Sequence, residues 1–348
     1  MISLVDKMAL HYQQNLPFVV YCKPNSDTIL GLFQQNDTLF KVHDFTEKGF
    51  VFASFDGSQH YIIPENESEQ WSEDWIVNNE TIPQQDCDGK DDVSAQTNFE
   101  YLVGKGIQAI QNNEFQKVVL SRMESVSVSH FDLVTTFKKL VQQYRSAFVY
   151  CFYHPKIGTW LGASPEQLLK ANTDSFETMA LAGTQKDSGE KSVIWQQKEQ
   201  EEQQFVTDYI VSKLKAVSAE IQVSEAYSVK AGTLWHIKTD ISGLFGQELD
   251  LKKAIQLLHP TPAVCGVPKA ISKAFIVANE NYNRSFYTGF LGELNRNFAS
   301  DLFVNLRCMQ IENNVALLYM GCGITKDSIP EKEWKESVNK SMTMKRIV

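Results

Sequence analysis

Residues 285–324, SFYTGFLGELNRNFASDLFVNLRCMQIENNVALLYMGCGI, carry the pattern that decides the fold. SFYTGFLGEL (285–294), DLFVNLRCMQI (301–311) and NVALLYMGCGI (314–324) are apolar runs separated by short polar turns. Each predicts a strand, and short turns between consecutive strands imply antiparallel pairing. Upstream, PFVVYC, TILGLF, GFVFASF, HYIIP, FQKVVLSRMESVSV, SAFVYCFYH, GTWLGAS and TLWHIKTDISGLF also predict strands. Helices are expected over 3–14, 98–112, 131–144, 190–218, 250–258 and 268–279, with a last one under IPEKEWKESVNK (329–340). Strands in runs with helices interspersed indicate an α+β fold with antiparallel sheets, not a doubly wound one.

From Trp71 to Thr97 the composition turns polar and rich in turn formers. Its second half reads as a connection between a strand-rich N-terminal segment, 1–96, and a main body, 97–348. The chain, at 348 residues, 43% apolar and 22% charged, can bury a substantial core. A net charge of −9 with no basic block argues against nucleic acid as a partner. The six cysteines are scattered, without C-x-x-C or zinc spacing, and read as small buried thiols. No leader pattern and no apolar run of about 20 residues is visible, so a cytoplasmic protein with no membrane partner is expected. No heptad seam is present, and a monomer is the default expectation.

Several residues could carry chemistry, each beside a plainer reading. Strand alternation puts Lys117 on one face with Phe115, Val119 and Ser121. It is either an edge residue reaching water, the commoner case, or an inward amine whose lowered pKa would make it a base. Glu166 follows a Gly-Ala-Ser-Pro corner: a strand-end carboxyl acting as an acid if buried, or a helix N-terminal glutamate after Pro165. Glu202 lies in line with the apolar stripe Phe205, Val206, Tyr209 and Ile210, so it needs a base or a cation, unless the stripe merely starts raggedly. Arg307, bracketed by apolar residues, suits a bidentate carboxylate ligand. Gly321 and Gly323 would let backbone N–H groups approach an anion, or merely mark a strand end. His259 heads the rigid loop HPTPAVCG, where capping of the preceding helix also explains it. In the last helix Trp334, Val338 and Met342 form the apolar stripe, and Glu333, Glu336 and Lys340 fall opposite, where a helix normally meets water.

KVVLSR, GASPEQLL, LAGT, TLWH, HPTPA and GCGI…EWKES occur here in this order. Over about residues 97–348 the chain resembles the chorismate-utilising enzymes, which include isochorismate, salicylate, anthranilate and aminodeoxychorismate synthases. The resemblance implies the anthranilate synthase component I-like fold, with large antiparallel sheets and flanking helices around a central cleft that binds chorismate beside Mg²⁺. It implies Lys117 as the base that activates water and Glu166 as the acid that protonates the departing hydroxyl. It implies Glu202, Glu333 and Glu336 as metal ligands, with Glu199 as a fallback because Gln203 stands where many relatives have His. Substrate contacts are implied at Ala182, Gly183, Thr184, His259, Arg307, Tyr319, Gly321, Gly323 and Lys340.

Anthranilate synthases usually carry Gln at the position of Lys117, and aminodeoxychorismate synthases a lysine at that of Ala182. Isochorismate synthase is therefore the expectation, with no amidotransferase subunit, for a menaquinone, siderophore or salicylate route. Salicylate synthase is the alternative, and a non-catalytic chorismate binder a third.

Overall fold

The run 301–311, expected as one strand, is two. In the computed structural model, which describes residues 2–75, 92–187, 193–231, 234–246 and 251–348, Ala299–Val304 belongs to one sheet and Cys308–Glu312 to another. The chain crosses between them at Arg307, whose φ of 47° lies in the left-handed region, away from extended backbone. Asn305 anchors the crossing: its backbone N–H donates to the Gly289 carbonyl at 2.8 Å and its carbonyl accepts from the Thr288 N–H at 2.9 Å, while its side-chain amide accepts from the Tyr150 hydroxyl at 2.6 Å and donates to the Phe286 carbonyl at 2.9 Å.

The first sheet runs, in spatial order, Gly266–Val267, Lys117–Ser127, Val315–Ile324, Cys308–Glu312, Gly158–Ser164, Phe148–His154, Phe18–Cys22, Thr28–Gln34 and Ser68–Asp74. The second runs Ser218–Val223, Leu234–Phe245, Ser175–Lys186, Gln167–Ala171, Ala299–Val304, Phe290–Arg296, Gly49–Ala53, His60–Pro64 and Phe40–Lys41, with Tyr227–Ala231 also paired to Leu234–Phe245. Pairing is antiparallel throughout the described residues. The expected α+β class and antiparallel sheets are both present.

The two sheets pack face to face, and the apolar runs explain why. In Phe18–Cys22 every residue is buried, so alternation separates two apolar faces instead of an apolar from a polar one. Val19 and Tyr21 meet Phe50, Phe52, Leu291 and Phe303 of the other sheet in a layer rich in aromatic rings. Phe18, Val20 and Cys22 face outward onto Leu4–Gln13 and Leu133–Gln143. The second sheet's outer face, with Val51 and Ala53, packs on Gln197–Leu214 and Leu251–Leu258. A further cluster joins Val93–Gln111, Lys269–Asn279 and Pro330–Lys345 to one end of the first sheet. The result is helix, sheet, sheet, helix, with strands from residues 18–74 in both sheets.

Several boundaries move. The polar stretch from Trp71 begins inside a strand, Ser68–Asp74, and the next helix starts at Val93, not 98. The connection expected before Thr97 lies largely outside the described residues, as does Cys87. Among the described residues of the expected 190–218 helix, Gln197–Leu214 is helical, and residues 218–223 are strand. SFYTGFLGEL becomes strand only from Phe290. The other five cysteines are buried free thiols. No helix among the described residues is long and apolar enough to cross a membrane.

Candidate active site

A narrow recess with a cavity volume of about 60 Å³ lies where the chain crosses between sheets. Glu166, Ala182, Gly183, Thr184, Glu202, Arg307, Tyr319, Gly321, Gly323 and Lys340 all line it. They come from far-separated parts of the sequence, and the sheet pairings bring them together.

Glu166 occupies the corner between Gly158–Ser164 and Gln167–Ala171, so no helix follows Pro165 and the strand-end reading holds. Its side chain is buried, with only a long contact from the Thr261 hydroxyl at 3.5 Å. Burial pushes its carboxyl up to about 8, against the opposing pull of the Lys117 charge. At neutral pH it holds its proton.

Lys117 overturns the edge reading. It is fully buried at the start of Lys117–Ser127, a strand covered by Gly266–Val267 on one side and Val315–Ile324 on the other. Val119, two residues on and so on the same face, lines the recess. Nζ of Lys117 lies 3.2 Å from Oε1 of Glu202, close enough for an ion pair but not aligned for a hydrogen bond. Burial lowers the Lys117 pKa, and the negative charge of Glu202 partly restores it.

Gln197–Leu214 presents Glu202 inward, as its place in the apolar stripe implied. Gln203 is buried too, donating to the hydroxyls of Thr207 at 2.9 Å and Thr239 at 2.8 Å, which fastens the helix to the second sheet. Glu199 is taken up at the helix start, where Oε2 accepts from the Gln196 amide at 3.0 Å. Gly323 has a reason the sequence reading did not contain. A Cβ there would lie 1.9 Å from Glu202 Oε1, so only glycine leaves room for the carboxylate. Both glycines lie in the last four residues of Val315–Ile324, paired with Ser121 and Val119, so they stand at the end of a strand as expected.

The last helix corrects the water-facing reading. Glu333 is 1% exposed and Ser337 and Ser341 are buried on the same face, while Glu336 and Lys340 are largely covered. Nζ of Lys340 donates to Glu336 Oε1 at 2.7 Å and to the Gly321 carbonyl at 2.9 Å. Glu333, Glu336 and the Cys322 thiol bring their ligand atoms within 4.8 Å of one another. Glu202 stands outside that group, facing Lys117.

Arg307 lines the recess without an ion pair to any carboxylate among the described residues. Its Nη2 lies 3.4 Å from His236 Nε2 and its Nη1 3.5 Å from the Thr343 hydroxyl. His236, which the sequence reading did not select, lines the recess as well. Its Nδ1 faces the Gly183 carbonyl at 2.9 Å and must carry the hydrogen, leaving Nε2 to accept from Arg307. Burial beside Arg307 pushes His236 down to about 3, so the ring is neutral. The Gly183 carbonyl turns that way because Ser175–Lys186 has a register shift between Ala182 and Gln185, with Gly183 at φ 70°.

His259 is not brought to the recess. Its Nε2 lies 3.2 Å from the Ser54 carbonyl and its ring packs edge-on against Phe290. Its loop reaches the site through Thr261, Ala263 and Val264 instead. Tyr319 is stacked between Trp160 and Tyr287, its hydroxyl donating to Gln310 at 3.2 Å.

The family described as chorismate binding enzyme matches residues 55–348. Isochorismate synthase EntC of Escherichia coli K12 is 29% identical over 265 residues, 72% of this chain and 67% of EntC. The salicylate biosynthesis isochorismate synthase of Pseudomonas aeruginosa is 28% identical over 265 residues, 73% of this chain and 56% of that protein. Among solved structures, DhbC of Bacillus anthracis superposes with a TM-score of 0.81 at 23% identity, covering 99% of both chains, and shares the fold.

Proposed function

This chain belongs to the chorismate-binding enzymes, and on that footing we propose that it is an isochorismate synthase, adding water at C2 of chorismate and releasing the C4 hydroxyl. The observation that supports the reading most is a buried glutamic acid that lines the recess and holds its proton up to about 8, together with a buried lysine whose Nζ lies 3.2 Å from Glu202, a residue of the same lining. Base on one side and acid on the other is what this exchange needs. A neutral Lys117 amine takes a proton from water as the oxygen bonds to C2. Both ring double bonds shift, the C4–O bond breaks, and Glu166 gives its proton to the departing hydroxide, which leaves as water. Proton return from Lys117 to Glu166 resets the pair. Arg307 and Lys340 supply positive charge for the substrate's two carboxylates, and neutral His236 keeps Arg307 aimed into the recess.

The acidic residues fit a hard divalent cation such as Mg²⁺. Oε2 of Glu333 is buried without a hydrogen-bond partner among the described residues, and its carboxyl is pushed up to about 7 by burial and the Glu336 charge, a strain that a cation would relieve. Glu202, Glu333 and Glu336 would hold it, while the buried Cys322 thiol stays protonated and is too soft a donor. When bound, Mg²⁺ would neutralise a substrate carboxylate and polarise it.

Salicylate synthase is the alternative, in which isochorismate is retained and loses pyruvate. Ala182 supplies no amine nucleophile, so amine chemistry at that position is closed. Purified protein with chorismate and Mg²⁺ decides, with products separated by chromatography and pyruvate assayed in parallel. Isochorismate without pyruvate, lost on adding EDTA, is the expected result. Stoichiometric salicylate and pyruvate would move the assignment to salicylate synthase, and no turnover would leave a chorismate-binding protein.

A further inference from the structure

Lys198 is a charged residue at this site that the proposed reaction does not use. It sits in the first turn of Gln197–Leu214, where a helix N-terminus disfavours positive charge. It nonetheless turns away from solvent and places Nζ 2.5 Å from Oε1 of Glu333 on the C-terminal helix. The Lys198 side chain is 18% exposed and that of Glu333 2%. The ammonium is thus paired with one of the carboxylates that would hold a divalent cation, and the other oxygen of Glu333, Oε2, is buried without a hydrogen-bond partner among the described residues. A groove open to solvent runs past the Lys198 stem, lined by Gln196, Gln197 and Asp327. The four-carbon arm can swing into it without unfolding anything.

We propose that Lys198 is a tethered counterion occupying the cation's place among Glu202, Glu333 and Glu336, and that a divalent cation enters by displacing its ammonium into the groove. This rests on the reading of those three carboxylates as the metal site. Without Lys198, Glu333 would lose its counterion beside Glu336, whose own charge is paired with Lys340, so the lysine keeps the site assembled while it waits. The same contact makes the cation compete with an ion pair already present. Affinity for the metal is therefore set by the difference between two cations, not by the carboxylates alone.

Calorimetric titration of substrate-free protein with MgCl₂ tests this directly, comparing wild type with Lys198→Met and Lys198→Arg. Methionine keeps most of the stem without the charge, and Mg²⁺ should bind about tenfold or more tightly, as loss of a buried competitor worth one charge-assisted hydrogen bond implies. Arginine, with its forked donors, should grip the carboxylates harder and weaken Mg²⁺ binding below wild type. Thermal melts in saturating Mg²⁺ check that each variant folds. Wild type that binds Mg²⁺ with Lys198→Met unchanged or weaker would overturn the displacement alone. Failure of every form to bind would overturn the metal site and the displacement together. Should Lys198→Met not fold, weakened binding in Lys198→Arg still supports the proposal, and unchanged or tighter binding overturns it.

Discussion

A single carboxyl, that of Glu166, links stability and chemistry to pH. Its folded pKa lies near 8, above the usual carboxylate range. Between the two values the folded state holds a proton the unfolded chain has released, so stability falls as pH rises through that window. Glu166→Gln removes this dependence and should lose less stability than wild type between about pH 5 and 8.5, read by denaturant titration at each pH. The same variant should lose about 10²–10⁴-fold in kcat, the usual worth of a positioned acid. In wild type the acid form disappears past about pH 8, so turnover should decline there; a rate that stays flat to pH 9.5 would remove Glu166 as the acid. Gly323→Ala makes a separate case. Its Cβ would overlap the Glu202 carboxylate, so activity should fall at least tenfold with the sheet retained, as circular dichroism would report.

At the scale of elements, the C-terminal helix matters most. Arg122 stacks on Trp334 at 4.4 Å, donates to the Ser337 hydroxyl at 2.8 Å and pairs with Glu124 at 3.0 Å, while Lys345 reaches the same glutamate. Arg122→Ala should cost about 1–3 kcal/mol in denaturant unfolding and weaken Mg²⁺ binding with it, since Glu333 and Glu336 ride on that helix. Much here was legible in the sequence. The strand alternation around Lys117, the inward place of Glu202 and the i, i+3 pair of Glu333 and Glu336 are local facts that survive folding. What escaped was which polar face meets water. Periodicity separates polar from apolar but cannot tell bulk solvent from a protein-lined recess, and so the helix carrying Glu333 read as a surface feature. Arg307 was selected, but the crossing between sheets on which it sits escaped, because an apolar run does not reveal that its two halves belong to different sheets. Lys198 and His236 escaped because their roles exist only in contacts with residues 135 and 71 positions away.

For the whole molecule, the aromatic layer between the sheets is a large store of stability. Phe52 stacks on Phe152 at 4.4 Å and on Phe286 at 4.3 Å, fully buried, and Phe52→Ala should cost about 3–5 kcal/mol in denaturant unfolding. Across this layer Tyr21 bonds Glu293, a residue 272 positions later in the chain. That span has a consequence during synthesis. The strands around Tyr21 and Phe52 leave the ribosome early, with aromatic faces and open edges whose partners do not yet exist. Loop closure over such distances is slow, and exposed apolar edges invite association with other chains. The architecture that gathers a reaction site from the whole sequence therefore leaves the nascent chain dependent on protection until its last strands arrive.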